Sequence, residues 1–97
     1  MTTLQVPDPE RTILRVKSTS EVKRLAGAIA GELRQYASVE MQMVGAGAVS
    51  QAVKAAIVAR GYLAPSGRDL TFTPSFFETV NEGKEWTGVR IIVERRG

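Results

Sequence analysis

Two glycines flank an alanine at the point where a predicted strand passes into a predicted helix. The run Gly45-Ala46-Gly47 is followed three residues later by Ser50. Backbone N–H groups at such a turn can approach an anion at the positive end of the helix, so Gly45, Gly47 and Ser50 are a candidate anion cradle. The same glycines would equally serve a tight turn with close helix packing. Ser50 replaces the third glycine of a dinucleotide fingerprint, and no Gly-Lys-Ser sequence of a P-loop is present.

Basic side chains are the second group that could carry a function. The formal net charge is +3 and the sequence pI is about 9.7, a balance that favours polyanionic partners. Three of the cations cluster around the predicted start of the first helix, where positive charge opposes the helix macrodipole. An unfavourable arrangement of this kind indicates that the three cations serve a function. We therefore predict phosphate contacts, and the predicted nucleic-acid-binding residues are Lys17, Lys23, Arg24, Lys54, Arg60 and Arg68.

An aromatic hairpin is the third candidate. Phe76, Phe77 and Trp86 flank the turn sequence Asn81-Glu82-Gly83-Lys84. Aromatic side chains can stack on single-stranded bases, but covering the edge of the core is the favoured interpretation here. The hairpin also carries Glu78, Glu82 and Glu85, which disfavour entry into a nucleic-acid groove.

Catalysis finds little support in the sequence. The chain has no His and no Cys, which removes the commonest general base, thiolate zinc sites and disulfides. Asp69 beside Ser66 and Arg68 is interpreted as a capped turn. We predict a protein that is not an enzyme and needs no metal or cofactor. The first ten residues lack the apolar region of a signal peptide, and no apolar run approaches ~18–20 residues, so a cytoplasmic protein without a membrane segment is expected.

Hydrophobic periodicity predicts six elements. The first helix is expected to begin with Ser20 as its N-cap, and Gly27 and Gly31 to open a groove for close packing against a neighbouring element. Gly61 is expected to stop the second helix. Residues 1–11 form a lead-in and residues 12–97 a single domain. The predicted elements are a strand over 12–17, a helix over 20–36, a strand over 38–44, a helix over 48–60, and strands over 68–76 and 86–95.

This order predicts an α/β protein of the two-layer α+β kind, a mixed four-stranded sheet with two helices. Two β-α-β units predict parallel neighbouring strands, and the final hairpin is antiparallel. Only Lys54 and Arg60 carry charge on the second helix, so this helix is expected to be buried on several sides or to face another subunit. We therefore predict a homodimer or homotetramer.

The stretch from Gly45 to Leu70 resembles the stage V sporulation protein S family. The sequence Leu25-Ala26-Gly27-Ala28-Ile29-Ala30-Gly31 and the ending Ile91-Ile92-Val93-Glu94 also resemble it, over roughly residues 12–95 in all. That family is similar in fold to Alba, a small dimeric chromatin protein that binds DNA and RNA. The resemblance implies an Alba-like β-α-β-α-β-β domain, an oligomer, nucleic-acid binding and a regulatory role in sporulation or development. Lys17 is the residue that matches the lysine of Alba proteins after their first strand.

Three hypotheses remain open at this point. The first is a nucleic-acid-binding regulatory protein that acts as an oligomer through a basic surface. The second is a protein-interaction regulator that keeps the fold without nucleic-acid binding, because the turn from Gly45 to Ala48 is uncharged and the hairpin is acidic. The third is a binder of small anionic ligands at the Gly45–Ser50 turn.

Overall fold

The computed structural model describes residues 11–97. The helices and strands follow the predicted order β-α-β-α-β-β, with a short 3-10 helix added before the third strand. The predicted lead-in over residues 1–11 lies outside the described residues except for Arg11. The elements are β1 Ile13–Val16, α1 Val22–Gln35, β2 Ser38–Met43, α2 Ala46–Leu63, the 3-10 helix Ala64–Ser66, β3 Asp69–Asn81 and β4 Lys84–Arg96.

The four strands form one mixed sheet in the order β1-β2-β4-β3. β1 and β2 are parallel neighbours, as the first predicted β-α-β unit requires, and β4 runs antiparallel to both β2 and β3. The prediction that the second unit also makes parallel neighbours is wrong, because β4 is inserted between β2 and β3. β3 is therefore an edge strand, where Pro74 is tolerated despite its missing N–H.

The β3–β4 hairpin is longer than predicted. β2 pairs with β4 only from Ser38 opposite Glu94 to Met43 opposite Val89, whereas β3 and β4 stay paired as far as Asn81 opposite Lys84. β3 continues past Pro74, since an edge strand has one unpaired side that can lack a donor. The part of the hairpin beyond the end of β2, residues 77–88, is a two-stranded arm, and we call it the arm.

Both helices pack on one face of the sheet, which we call the helix face; the opposite face is the open face. Side chains alternate between the two faces along β2 and β4: Val39, Met41 and Met43 of β2 are buried on the helix face, as are Ile91 and Val93 of β4. The buried side of α2 consists almost entirely of alanine, which lets it pack closely against its neighbours. The buried helical residues are Leu25, Ala26, Ile29, Ala30 and Leu33 of α1, and Ala48, Ala52, Ala55, Ala56, Ala59 and Leu63 of α2.

Several predicted features of the helix ends are wrong. Ser20 does not cap α1; Glu21 occupies the N-cap position without a side-chain hydrogen bond, and Ser20 Oγ instead accepts the Lys17 N–H at 2.9 Å. Gly61 does not stop α2, which continues to Leu63 and passes into the 3-10 helix. The helical segment ends instead at Gly67, whose φ of +76° is the left-handed conformation typical of a terminating glycine.

The predicted packing groove at Gly27 and Gly31 is also absent. A Cβ placed on either glycine would have no neighbouring atom within 4 Å. Both residues lie outside the buried side of α1, which explains why no element of residues 11–97 approaches them.

Gly88 is a glycine that does have a packing role. It lies opposite Phe77 in the β3–β4 ladder, and a Cβ on it would lie 2.5 Å from Phe77 Cε1 and 2.9 Å from the Met43 carbonyl oxygen. We predict that Gly88→Ala lowers the free energy of unfolding by about 1–3 kcal/mol through overpacking, measured by urea denaturation. Gly27→Ala is the control and should raise it by about 0.4–1 kcal/mol. A Gly88→Ala protein as stable as the wild type would contradict this packing.

Candidate nucleic-acid interface

The two parallel strands and the two helices define two ends of the molecule. β1 and β2 both end where α1 and α2 begin, so the turns over residues 17–21 and 44–46 lie at one end, which we call the carboxyl edge. The arm also projects at this end, because β3 runs parallel to β2. The carboxyl edge thus brings together two helix N-termini and the hairpin tip.

Three of the predicted basic residues lie at the carboxyl edge. Lys17 follows β1, and Lys23 and Arg24 lie in the first turn of α1; all three are exposed. Arg24 Nε lies 3.7 Å from Glu21 Oε2, but both side chains are more than two-thirds exposed, so this pair contributes little. These three cations stay available to a partner.

The glycine turn at the start of α2 is explained by geometry. Gly45 has φ +93°, and a Cβ on Gly47 would lie 2.9 Å from the Cβ of Ser18. The α2 start is further tied to the β1–α1 turn by Gln51 Nε2, which donates to the Ser20 carbonyl oxygen at 2.8 Å. Ser50 is exposed one turn into the helix. The anion cradle at Gly45, Gly47 and Ser50 stays a prediction.

The remaining predicted basic residues lie elsewhere. Arg60 and Arg68 are at the opposite end of α2, a helix of 18 residues that is about 27 Å long, and Lys54 is exposed between the two ends. Arg60 makes a bidentate contact with Asp69, at 2.7 and 3.3 Å. Arg68 Nη1 donates to the Arg34 carbonyl oxygen at the end of α1, at 3.4 Å. The six predicted residues therefore do not form one surface. Arg60 and Arg68 both have partners within the protein.

The Arg60–Asp69 pair shifts the titration of both groups. The hydrogen bond from the Arg60 guanidinium lowers the pKa of the Asp69 carboxyl, and the N–H of Leu70 adds to this effect. The same hydrogen bond raises the pKa of Arg60, which stays protonated. This pair fixes the junction between α2 and β3 rather than offering a free cation.

The arm has two chemically different faces. Glu78 and Glu85 lie on its helix face, together with the exposed side chain of Val80. Phe77, Thr79 and Trp86 lie on its open face, with Trp86 directly opposite Thr79. Glu78 and Glu85, which disfavoured nucleic-acid contact in the sequence, therefore point away from Phe77 and Trp86.

A buried carboxylate on the open face was not identified from the sequence. Glu40 is 6% exposed, and its oxygens lie 3.8 Å from Arg11 Nη1 and 3.1 Å from Arg90 Nε. Gln42 Nε2 donates to Glu40 Oε2 at 2.6 Å. The Arg90 pair is an ion pair without a directed hydrogen bond from Nε, and the Arg90 guanidinium carbon also lies 5.8 Å from the centre of the Phe77 ring. The strand alternation indicated that Glu40 faces away from the core, but nothing in the sequence indicated its cationic partners.

Comparison with known proteins identifies the family. Residues 12–96 match the family described as Stage V sporulation protein S (SpoVS). This chain belongs to the SpoVS family. Its fold is similar to that of "Alba from Thermoplasma volcanium", with a TM-score of 0.60, 14% sequence identity, and coverage of 89% of this chain and 100% of the Alba chain. The resemblance predicted from the sequence and the Alba-like fold are thus confirmed.

The Arg60–Asp69 contact of this SpoVS-family protein is expected to depend on pH. The folded-state pKa of Asp69 lies below its unfolded value of about 3.9. The contact with Arg60 therefore contributes stability that is present above the unfolded pKa and is lost as the pH falls through the folded-state pKa. We predict that Arg60→Gln raises the Asp69 pKa toward its ordinary value, measured by NMR titration of the carboxyl group. Arg24→Gln is the control and should leave it unchanged. An identical Asp69 midpoint in the Arg60→Gln protein would show that the contact does not form in solution.

Proposed function

We propose that this protein is a nucleic-acid-binding regulatory protein that binds DNA or RNA through the basic side chains of the carboxyl edge. The observation that carries the proposal is the exposed cluster of Lys17, Lys23 and Arg24 beside the starts of both helices. Cations at this place oppose the macrodipole of α1, so their cost to folding is offset only when a polyanion is bound. The Alba resemblance noted in the sequence implies the same partner class.

The helix starts add to the attraction for phosphate. Neither Glu21 nor Gly45 makes a side-chain capping hydrogen bond, so the first N–H groups of α1 and α2 receive no such acceptor from their N-cap residues. The glycines leave the backbone of the α2 start accessible to a phosphate oxygen. This arrangement also fits the small-anion hypothesis at Gly45, Gly47 and Ser50, for which a panel of nucleotides is the direct test.

The proposed role is binding without catalysis. Within residues 11–97 no group of three or more acidic, His or Cys side chains is placed to hold a metal ion. In the same part of the chain, no helix is long and apolar enough to cross a membrane. The family description supports a regulatory role in sporulation, which we include in the proposal.

We predict that neutralising the carboxyl edge weakens binding more than neutralising the opposite end. The test variant is Lys17→Gln, Lys23→Gln and Arg24→Gln together; the control is Arg34→Gln, Arg60→Gln and Arg96→Gln together. Each lowers the net charge by 3, from +3 to zero. The test variant should lose about tenfold or more in affinity for labelled DNA or RNA, with a salt slope reduced by about one unit per lost phosphate contact.

The measurement is a fluorescence anisotropy titration at two salt concentrations. Equal losses in both variants would mean that only the net charge matters and would contradict a site at the carboxyl edge. A wild-type protein that is folded but binds neither DNA nor RNA at low salt would overturn the proposal and favour the protein-interaction regulator.

We also propose that the protein acts as a homodimer or homotetramer, as the sequence predicted. Exposed apolar side chains of α2 and β3 supply a surface for it: Ile57 is 63% exposed, Phe76 is 78% exposed, and Phe72 borders Ile57 in a shallow depression. Phe72 and Phe76 lie on β3 at one edge of the sheet, whereas Lys17 follows β1 at the other edge, so assembly through this area leaves Lys17 accessible in our proposal.

We predict that Ile57→Glu shifts the oligomer toward the 10.5 kDa monomer, because a carboxylate cannot be desolvated at low cost in an apolar interface. Light scattering at tens of micromolar is the measurement, with Lys54→Glu, one turn earlier on the exposed side of α2, as the control. A wild-type particle of 10.5 kDa would refute the oligomer itself.

A further inference from the structure

A cleft with basic, polar and apolar lining lies where β2 ends and the arm begins. Its volume is about 510 Å³, within the range of small-ligand pockets. β1 lines one side with Arg15 and Lys17, the arm lines the other, and Gln42 is in the floor. The cleft exists because β2 stops at Met43 while β3 and β4 continue, which leaves a gap between β1 and the arm.

The charge in this cleft is one-sided. Arg15 and Lys17 are both exposed, and within residues 11–97 neither forms an ion pair, while no acidic side chain lines the cleft. Hydrogen-bonding groups come from Gln42, Thr79 and Asn81. The amides of Gln and Asn carry a donor and an acceptor in one plane, which is the arrangement that matches the edge of a nucleobase.

The arm side of the cleft is aromatic. The ring of Phe77 lies over Gly88 of β4, since a Cβ on this glycine would come within 2.5 Å of Phe77 Cε1. The Arg90 guanidinium carbon lies 5.8 Å from the centre of the Phe77 ring, within the range of a cation–π contact. Trp86 lies on the same face of the arm and is 46% exposed. A half-buried, fixed ring beside two cations is a platform for a planar base attached to a phosphate.

We propose that this cleft holds one unpaired nucleotide of a single-stranded nucleic acid, an inference that rests on the nucleic-acid binding proposed above and specifies its substrate. Arg15 and Lys17 contact the phosphates, Phe77 contacts the base, and Gln42 and Asn81 hydrogen-bond to the base edge. The cations of the carboxyl edge then attract the neighbouring phosphates of the same strand, since Lys17 belongs to both groups.

An unpaired nucleotide fits better than a duplex for two reasons. Base stacking on Phe77 requires an accessible base face, which paired and stacked bases of a duplex do not offer. The arm would also have to enter a groove of the duplex with Glu78, Glu82 and Glu85, which phosphates repel. On a single strand, Glu78 and Glu85 point to the far side of the arm while the open face contacts the ligand.

The test compares Phe77→Leu with Phe76→Leu. Leucine keeps an apolar cover over Gly88 but removes the aromatic face, and Phe76 is the matched control because it is the adjacent residue on the opposite face of β3. Ligands are labelled single-stranded RNA and DNA of about 12 nucleotides, a duplex of the same sequence, and the free mononucleotides. Readouts are anisotropy, the fluorescence of Trp86, which is the only tryptophan of the chain, and thermal unfolding to check the fold.

We expect single strands to quench Trp86 and Phe77→Leu to lose about tenfold in single-strand affinity, with duplex affinity unchanged and Phe76→Leu equal to the wild type. Arg15→Gln, a substitution at an exposed residue, should weaken single-strand binding severalfold. It replaces Phe77→Leu as the test variant if the Phe77→Leu protein does not fold. Salt-sensitive nucleic-acid binding that neither Phe77→Leu nor Arg15→Gln alters would overturn the cleft but leave the proposed function standing. No nucleic-acid binding by the wild type would remove both. Mononucleotides that bind as tightly as the oligonucleotides would overturn the single-strand assignment.

Discussion

The difference in length between β2 and the β3–β4 hairpin governs the rest of this structure. β2 has six residues and each hairpin strand has thirteen, so β2 and the helices cover only part of the hairpin. The uncovered part becomes the arm, and the end of β2 becomes the floor of a cleft. Because β3 is an edge strand, its exposed side chains have no further strand beside them. The aromatic residues there are therefore placed for contacts outside the domain.

The buried carboxylate of Glu40 connects the core of the sheet to this cleft. A buried charge is stable only while its partners remain, so Arg11 and Arg90 are held on the open face. Arg90 in turn lies over Phe77, and Gln42 is held by its hydrogen bond to the same carboxylate. Two of the residues that line the cleft are thus positioned by one ionic network. Removal of the Glu40 charge would remove the contacts that position both residues.

The sequence predicted the element order and the family, because these depend on local periodicity and on a distinctive segment from Gly45 to Leu70. It failed where long-range pairing decides the outcome. The insertion of β4 between β2 and β3 is a choice among sheet orders that periodicity does not distinguish, and the extension of β3 past Phe76 depends on its pairing with β4. Arg15, Gln42 and Phe77 are far apart in the sequence, so only the folded sheet shows that they line one cleft.

Helix dipoles separate the cations that stabilise the fold from those that are available to a partner. At the C-terminal end of α1, Arg68 and Arg95 donate to the carbonyl oxygens of Arg34 and Leu33, where positive charge is favourable. At the start of α1, Lys23 and Arg24 face the positive end of the same dipole, where folding gains nothing from them. Net charge alone treats these residues as equal. Their positions along α1 differ in effect: only at the carboxyl edge do cations lie at the positive end of the dipole, and a polyanion added there relieves this unfavourable interaction.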